Sequence, residues 1–336
     1  MKKIKLAILE EQQEYASLFW NYIKEKKEIL FQVYVFTKEE TLEAHLEREQ
    51  VDLLLLSSNL EREKWEDRIS CIVVLSDQPM LEQPLTRQIY KFQSAESILK
   101  QLYEIFIEEK PKQLFYLPRE GRICEQYAMF SPYGGSGKTT CAMVLGYLLE
   151  QGRLGTSKKV LVVSLEPVQK SYTWKKVGES KGISEAIYYA LQGEHILANQ
   201  LPTLVTQVAG VDYLSGARHI CDLEECSLED MEKLIHILTE ETSYDVIIYD
   251  ISYYGKCTYQ LLENCKWIWE TSIGKAREIS YEAWLGKSKA EQLKKKIGKI
   301  CLPALEHGVE QIELCSYGAI GKTIEATWKE QEDGAA

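Results

Sequence analysis

The sequence predicts an α/β protein with two domains, each built on a mostly parallel β-sheet. A chain of 336 residues has the length of two average domains, and its 45% of hydrophobic residues suffices for a core in each. Short apolar segments alternate along the chain with amphipathic helical segments, a pattern typical of parallel sheets covered on both faces. The alternation stops at residues 111–122 and then starts again, which indicates a domain boundary there.

The first predicted domain covers residues 1–110. Its apolar runs have the length of strands, and its more polar segments repeat hydrophobic residues at helical spacing. The predicted strands are KLAILE, FQVYVF, VDLLLLSS and CIVVLS, and the predicted helices are YASLFWNYIKEKK, KEETLEAHLEREQ and SAESILKQLYEIFIEEK. Residues 111–122 contain two prolines and a glycine and form the predicted linker.

The second predicted domain covers residues 123–330 and repeats the alternation. Ser227 and Asp230 form the pattern of a capping box, which marks the start of one helix. The predicted strands are EQYAMFS, KVLVVSLEP, VDYLSG, YDVIIYD, KWIWE and IELCSY, and the predicted helices are residues 138–151, 183–191, 277–297 and the stretch after Ser227.

The strongest functional motif is SPYGGSGKTT, residues 131–140, between the strand EQYAMF and an apolar helix. Glycines let backbone N–H groups close around phosphate oxygens, and the helix N-terminus adds a partial positive charge. Pro132 replaces the first glycine of the strict G-x-x-x-x-G-K-[ST] pattern, so the match is to the variant x-G-G-x-G-K-T-T. We predict that Lys138 reaches the terminal phosphates of a nucleotide and that Thr139 binds Mg²⁺. The predicted nucleotide-binding residues are Gly134, Gly135, Ser136, Gly137, Lys138, Thr139 and Thr140.

A site of this kind needs a second acidic group near the metal, usually an aspartate at the end of an apolar strand. The segment YDVIIYDIS supplies one, because residues 246–249 are apolar and Asp250 follows where the strand leaves the sheet. We therefore predict that Asp250 and Thr139 form the Mg²⁺ site.

Charge and composition limit the remaining function classes. The net charge of −11 argues against nucleic acid and anionic membranes as partners. Nine scattered cysteines without metal-ligand spacing are typical of reduced thiols in a cytosol. Glu10 and Glu11 interrupt the N-terminal apolar run before a secretory signal is complete, and other apolar runs have only strand length. We expect a cytoplasmic protein without direct membrane insertion.

The loop and the following strand resemble the ParA/MinD group of phosphate-loop ATPases. In that group the strand ends in D-x-D-P-Q, and VLVVSLEPVQKS places Ser164 and Glu166 at the two aspartates, with Gln169 one position after the glutamine. The resemblance implies a catalytic role for Glu166 beside Lys138 and Asp250, with ATP and Mg²⁺ as cofactors. It also implies a homodimer in which a loop lysine reaches the partner's phosphates. Tyr133 occupies that lysine position, which predicts ATP binding with weak hydrolysis at most.

Two further segments resemble one branch of that group, the TadZ/CpaE-like proteins of Tad/Flp pilus assembly. These segments are VDYLSGARHICDLEECSLEDMEKLIHIL and GAIGKTIEATW, and the resemblance covers nearly the whole chain. It implies a localisation and scaffold protein that places the pilus machinery at the cell pole. The implied partners are the Tad pilus secretion ATPase and inner-membrane platform proteins.

The same branch carries an N-terminal receiver-like domain, and the order of elements in residues 3–108 resembles the receivers of two-component signalling. The resemblance implies a flavodoxin-like fold with acids at Glu10 and Glu11, a hydroxyl at Ser76 and a lysine at Lys91. The phosphoacceptor aspartate is missing, since Ser57 stands in its place and a hydroxyl without an activating base is a poor nucleophile. We interpret this domain as an interaction module in which these acids and the lysine are ordinary polar residues at a strand edge.

Two alternative functions stay open at this point. A ParA-like ATPase that partitions DNA or another cargo shares the loop, but Tyr133 and the acidic charge argue against it. The lysine-rich stretch KSKAEQLKKKIGK is more typical of a solvated helix face than of a DNA-binding segment. A bacterial tyrosine kinase has a related core, but only Tyr317 is available among the last twenty residues for a C-terminal tyrosine cluster.

Overall fold

The computed structural model describes residues 3–25, 30–78, 87–110, 123–131, 134–169, 181–251, 257–273, 286, 291–302 and 311–335. The chain divides into two compact units, Met1–Tyr116 and Leu117–Ala336. Both are α/β, and the pairs within their sheets are parallel with a single antiparallel exception among the described strands. The predicted fold class, α/β with mostly parallel sheets, is confirmed.

The first unit contains a five-stranded parallel sheet with the order β2-β1-β3-β4-β5. The order reverses between β1 and β3, and in open α/β sheets ligands usually bind beyond the C-terminal ends of the strands at such a position. Its elements are β1 (Ile4–Leu9), α1 (Gln13–Glu25), β2 (Phe31–Phe36), α2 (Glu39–Leu46), β3 (Leu53–Ser57), β4 (Cys71–Ser76), β5 (Gln88–Tyr90) and α3 (Ala95–Glu109), with a 3₁₀ turn at Glu63–Trp65.

Strand β3 shows why a strand of this sheet can be a continuous run of apolar residues in the sequence. Leu53 and Leu55 pack in one hydrophobic cluster, whereas Leu54 and Leu56 pack in the cluster on the opposite face. Alternate side chains of a strand point to opposite faces, so a strand that is covered on both sides must be apolar at every position.

The second unit contains a seven-stranded sheet with the order β12-β11-β6-β10-β7-β9-β8, in which only the edge strand β8 runs antiparallel. Its strands are β6 (Glu125–Phe130), β7 (Val160–Ser164), β8 (Val205–Val208), β9 (Val211–Leu214), β10 (Val246–Ile251), β11 (Trp267–Ile273) and β12 (Ile297–Leu302). Its helices are α4 (Lys138–Glu150), α5 (Ile183–Gln192), α6 (Glu194–Leu204), α7 (Ile220–Glu224), α8 (Leu228–Glu240), α9 (Thr258–Asn264), α10 (Ile312–Tyr317) and α11 (Ala319–Ala335), and a 3₁₀ turn covers Lys294–Lys296.

Helix α4 is almost completely buried and packs on the centre of this sheet. Tyr127 and Met129 of β6 and Val246 and Ile248 of β10 belong to the same hydrophobic cluster as its apolar residues. A helix that is apolar on all sides needs cover on all sides, and the C-terminal helices α10 and α11 supply part of it. The burial of α4 fixes the position of the loop in front of it.

One sequence prediction for the second unit was wrong where the structure describes the residues, and the end of one predicted helix differs by a residue. IELCSY was predicted as a strand and forms helix α10, in which Ile312 and Ser316 are buried at helical spacing. A short apolar run fits both periodicities, and the tertiary packing decided. The predicted helix over residues 277–297 lies mostly outside the described residues. Residues 291–296 are helical as predicted, and only the last predicted residue, Ile297, differs, because it begins strand β12. Strands β5, β8 and β12 were not predicted.

Helix α11 is the longest helix in the described ranges, at 17 residues. A membrane-spanning helix needs about 20 consecutive apolar residues. Within the described ranges, no helix is long and apolar enough to cross a membrane.

Candidate nucleotide site

The glycine-rich loop joins the buried end of β6 to the first turn of α4. Gly135 and Gly137 have φ angles of +71° and +82°, a backbone region that favours glycine. Gly137 is also the N-cap of α4, and a Cβ atom there would lie 2.5 Å from Cδ1 of Leu302. Both positions therefore favour glycine, and the loop lies at a helix N-terminus, where backbone N–H groups bind an anion favourably.

Lys138 and Thr139 are the first two residues of α4, with 7% and 9% of their surfaces exposed. A lysine at this position supplies a point charge for phosphate oxygens beside the partial positive charge of the helix. Ser136 is buried as well, Thr140 is half-buried, and the two glycines Gly134 and Gly135 are exposed. The loop thus exposes its first two glycines to solvent and buries most of its polar side chains.

Asp250 lies opposite this helix start, on β10 next to β6. Its side chain is fully buried, and its Oδ2 accepts a 2.5 Å hydrogen bond from Oγ1 of Thr139. The register pairs Asp250 with Met129 of β6 on one side and with Ser164 of β7 on the other. The parallel sheet thereby brings the aspartate to the same edge as the loop, which is where the sequence predicted it.

The electrostatic influence of Asp250 extends one turn into α4. Burial raises the pKa of the Cys141 thiol, and the charge of Asp250 adds to this shift. Cys141 is fully buried and remains a neutral thiol at physiological pH. The carboxylate therefore lies in an environment of low polarity, in which opposite charges attract strongly.

The structure fits a bound Mg²⁺ at this position. Thr139 and Asp250 offer a hydroxyl and a carboxylate oxygen, the hard ligands that Mg²⁺ prefers. Such an ion commonly keeps several waters and takes further oxygens from nucleotide phosphates. When bound, it would neutralise negative charge on the phosphates, while Lys138 and the loop would orient them.

Thr271 belongs to the same site but was not predicted from the sequence. Its Oγ1 lies 3.1 Å from Oγ of Ser136, and it also donates a 3.5 Å hydrogen bond to the carbonyl oxygen of Phe130. Thr271 is buried on β11, the neighbour of β6. Its position in the strand KWIWETSI gives no sequence signal, because only the strand order places it beside the loop.

Glu166 lies just beyond the end of β7 and is 5% exposed. The residue before it, Leu165, donates a 2.9 Å hydrogen bond from its backbone nitrogen to the carbonyl oxygen of Asp250. Ser164 is fully buried at the end of β7, and its Oγ accepts a 3.4 Å hydrogen bond from the nitrogen of Glu166. Further along this segment, the backbone nitrogen of Gln169 donates a 2.9 Å hydrogen bond to the carbonyl oxygen of Ala217. The structure thus places Glu166 one residue from a direct backbone link to Asp250.

Two loop residues on which sequence predictions depend lie outside the described residues. These are Pro132, at the first consensus glycine, and Tyr133, at the lysine position of the resembled ATPases. The expectation of weak hydrolysis therefore stays a prediction from the sequence.

A second polar cluster lies at the C-terminal strand ends of the first unit. Nζ of Lys91, after β5, is 2.8 Å from Oε2 of Glu10, after β1, and 3.1 Å from Oε1 of Gln12. Nζ also lies 4.6 Å from the ring centre of Tyr15 and 3.7 Å from Oδ1 of Asp77. Burial raises the pKa of Tyr15 to about 12, with the charges of Glu10 and Asp77 contributing.

Burial corrects the sequence interpretation of this cluster. Lys91 and Glu10 were expected to be ordinary polar residues at a strand edge, but they are 2% and 1% exposed and form a buried ion pair. Ser57 at the end of β3 is buried, whereas Glu11 is exposed. Oγ of Ser76 donates to the carbonyl oxygen of Gln78. The structure thus separates the two predicted acids, one facing Lys91 and one facing solvent.

Comparisons with known proteins find distant similarity to several solved structures. No protein-family model and no curated protein matches it. A ParA family ATPase from Chlorobium tepidum is 15% identical over 61% of this chain and 98% of its own, with a TM-score of 0.43. Cobyrinic acid a,c-diamide synthase from Mycobacterium smegmatis, with a bound ATP analogue and magnesium, is 17% identical over 54% and 72%, with a TM-score of 0.39. The kinase domain of the Escherichia coli tyrosine kinase ETK is 15% identical over 81% and 96%, with a TM-score of 0.35. The function of this chain is therefore inferred from its own site.

Proposed function

We propose that the second unit binds ATP together with Mg²⁺. The observation that carries this proposal is the hydrogen bond between Thr139 and Asp250, directly behind a glycine loop that ends in Lys138. A hydroxyl and a buried carboxylate supply oxygen ligands for the metal, and the loop, the lysine and the helix N-terminus supply positive charge for phosphates. The loop and the helix start follow β6, the aspartate lies on β10, and they meet at the C-terminal edge of the sheet, the usual ligand position in such folds.

We further propose that ATP orders a homodimer and is hydrolysed only weakly. In the resembled ParA/MinD group, a loop lysine reaches the partner's phosphates across the dimer, and Tyr133 stands at that position here. A phenol donates a hydrogen bond but brings no positive charge to the transferred phosphoryl group. Loss of a comparable arginine finger lowers turnover roughly 10³- to 10⁵-fold in GTPases.

The cellular role that we propose is to place the Tad/Flp pilus assembly machinery at the cell pole. Support comes from the resemblance of the segments VDYLSG and DLEECSLED to the TadZ/CpaE-like proteins and from the order of two α/β units along the chain. The proposed partners are a second copy of the chain, the pilus secretion ATPase and inner-membrane platform proteins.

For the first unit we propose a receiver-like interaction module that does not take up phosphate. Two features support this role: Ser57 replaces the acceptor aspartate, and Lys91 neutralises Glu10 at a distance of 2.8 Å. A carboxylate that is paired with a buried ammonium group offers little net charge to Mg²⁺. Incubation of the protein with acetyl phosphate, followed by mass spectrometry, should find no phosphate in residues 1–110, and incorporation there would contradict the proposal.

The main test is sedimentation velocity of the wild type and of Lys138→Ala, each with and without Mg²⁺ATP. We expect the wild type to shift from monomer to dimer with Mg²⁺ATP and Lys138→Ala to stay unchanged. Lys322→Ala, an exposed lysine on α11, is the matched control and should behave like the wild type. A parallel assay should give a turnover below about one per second, the low end of usual enzyme rates.

Two results would contradict these proposals separately. Identical sedimentation of all three proteins in both conditions would contradict nucleotide-dependent dimerisation, and a turnover above that limit would contradict weak hydrolysis.

The cellular role is tested by fluorescence microscopy of tagged protein in its own host. We expect polar foci for the wild type and diffuse signal for Lys138→Ala, whereas diffuse wild-type protein would contradict polar placement.

A further inference from the structure

A short segment after β9 binds the backbone next to Glu166 on one side and the start of α5 on the other. It consists of Ser215, Gly216 and Ala217. The nitrogen of Ala217 donates a 2.9 Å hydrogen bond to the carbonyl oxygen of Glu166, and the nitrogen of Gln169 donates one of 2.9 Å to the carbonyl oxygen of Ala217. The nitrogen of Ile183 donates a 2.8 Å bond to the carbonyl oxygen of Ser215. The segment therefore acts as an additional backbone partner for the end of β7.

Gly216 allows the closest contact in this arrangement. A Cβ atom at this position would lie 2.8 Å from Cβ of Glu166 and 2.8 Å from its carbonyl oxygen. Such distances are well below ordinary van der Waals contact between heavy atoms, which is about 3.5–4.0 Å for carbon. The requirement for glycine at this position comes from the close approach of two backbones. Any larger residue must displace Glu166 or the segment itself.

Gly182 supports the same segment from the beginning of α5. A Cβ atom there would lie 2.7 Å from the carbonyl oxygens of both Ser215 and Gly216. The nitrogen of Gly182 donates a 2.7 Å hydrogen bond to Oε2 of Glu185, which fixes the residue at the helix start. Two glycines thus allow three backbone segments to stack closely next to Glu166.

This stack is joined to the candidate nucleotide site by backbone bonds. The nitrogen of Leu165 bonds to the carbonyl oxygen of Asp250, and the following residue, Glu166, accepts from Ala217. A shift of Glu166 that is forced by a side chain at position 216 would therefore move it relative to Asp250. A displacement of about 1 Å in a catalytic group lowers the rate roughly a hundredfold.

We propose that Gly216 is a positioning residue that holds Glu166 in the place it needs for ATP hydrolysis. The proposal rests on the proposed ATP site and deepens it, because it gives a structural reason for the glycine at the end of the sequence VDYLSG, residues 211–216. Gly216 itself does not contact the nucleotide in this role. It acts through the backbone of Glu166, and its loss should impair hydrolysis while leaving the phosphate loop intact.

The test compares Gly216→Ala, Glu166→Gln and the double variant in the full chain. The two measurements are ATPγS affinity with Mg²⁺, by calorimetry, and the single-turnover rate of ATP hydrolysis. We expect Gly216→Ala to keep its ATPγS affinity within about threefold and to hydrolyse ATP as slowly as Glu166→Gln, about a hundredfold below the wild type. The double variant should be no slower than either single variant, because effects through one group do not multiply. Gly334→Ala is the matched control, since a Cβ atom there meets nothing within 4 Å.

Different outcomes separate this inference from the proposed function. If the wild type does not bind ATPγS, the proposed function fails. If the wild type binds but Gly216→Ala hydrolyses ATP like Gly334→Ala, only the inference fails. It also fails if the two rate effects multiply in the double variant, or if the wild type is no faster than Glu166→Gln.

Gly182→Ala keeps the inference testable should Gly216→Ala not fold, as judged by circular dichroism. Its Cβ atom would lie 2.7 Å from the carbonyl oxygens of Ser215 and Gly216 and would push the segment that contacts Glu166. We expect the same slow hydrolysis and the same lack of further effect when it is combined with Glu166→Gln. Hydrolysis at the wild-type rate in a folded Gly182→Ala variant would overturn the inference.

Discussion

Oγ1 of Thr139 donates a hydrogen bond of 2.5 Å to Oδ2 of Asp250, although the two residues are 111 positions apart in the sequence. Thr139 lies in the first turn of the helix behind the glycine loop, and Asp250 lies on β10, the strand next to β6. The pair joins the two parts of the candidate site that come from different regions of the chain.

Removal of the charge at Asp250 should weaken Mg²⁺-dependent nucleotide binding. Asp250→Asn keeps the size of the side chain but loses the negative charge, and the loss of even an outer-shell partner lowers metal affinity about 10- to 100-fold. We expect a loss of this size in the Mg²⁺ dependence of ATPγS affinity by calorimetry. Asp333→Asn, on the exposed side of α11, should leave the affinity unchanged. Equal Mg²⁺ dependence in both variants would show that Asp250 lies outside the metal site.

The buried ion pair of the first unit should respond very differently to single and double substitution. Lys91→Ala leaves Glu10 buried without its partner, and the expected loss of unfolding free energy is about 3–5 kcal/mol. Lys91→Met combined with Glu10→Leu removes both charges and should restore most of the stability. Urea denaturation of the full chain measures both changes.

A matched control for the ion pair is the exposed pair of Lys5 and Glu49. Lys5→Ala should change the unfolding midpoint much less than Lys91→Ala, because water screens exposed charges. If both lysine variants lost the same stability, burial would not be the cause.

The capping box at the start of α8 should stabilise the second unit in a pH-dependent manner. Oγ of Ser227 accepts a 3.1 Å bond from the nitrogen of Asp230, and Oδ2 of Asp230 accepts a 3.0 Å bond from the nitrogen of Ser227. Ser227→Ala should lower the unfolding free energy by about 1 kcal/mol, whereas Ser227→Asn should nearly preserve it.

The sign of the pH dependence follows from the pKa of Asp230. Hydrogen bonds from the side chain and then from the backbone of Ser227 lower this pKa from its ordinary value of 3.8. The carboxylate therefore stabilises the folded state above that value, and the contribution disappears as the pH falls through the lowered pKa. We expect Asp230→Asn to be less stable than the wild type in urea at pH 7. The difference should shrink at pH 3, and a constant difference would contradict this origin.

Cysteine reactivity should separate buried from exposed thiols. Burial raises the pKa of Cys141, and the charge of Asp250 adds to the effect, so little thiolate forms at pH 8. Native alkylation with iodoacetamide should label the exposed Cys221 and Cys301 and spare Cys141, as read by peptide mass spectrometry. Labelling of Cys141 at the rate of Cys221 would contradict its burial beside Asp250.

Much of the fold was predictable because most strands of both sheets are largely apolar runs. FQVYVF and CIVVLS form β2 and β4 with the predicted bounds, and α8 begins after Ser227 as its capping pattern predicts. Where a segment was too short to show one hydrophobic periodicity, the prediction of its secondary structure failed. IELCSY fits both periodicities and became helix α10, and the three residues of β5 are too few for any pattern.

The candidate site was predictable only in part, for a related reason. The loop, Lys138 and Asp250 carry local signals, a glycine pattern and an acid at a strand end. Thr271 and Gly216 carry none, because their roles depend on which strands lie side by side and on how closely two backbones approach.

The sequence by itself determined the α/β class, the glycine loop at residues 131–140 and the apolar run that ends in Ser57, because these depend on local periodicity and residue type. The tertiary structure alone decided that Lys91 is buried against Glu10 and that Gly216 lies against Glu166. Strand order and packing bring together residues from distant parts of the chain, and no local pattern encodes such contacts.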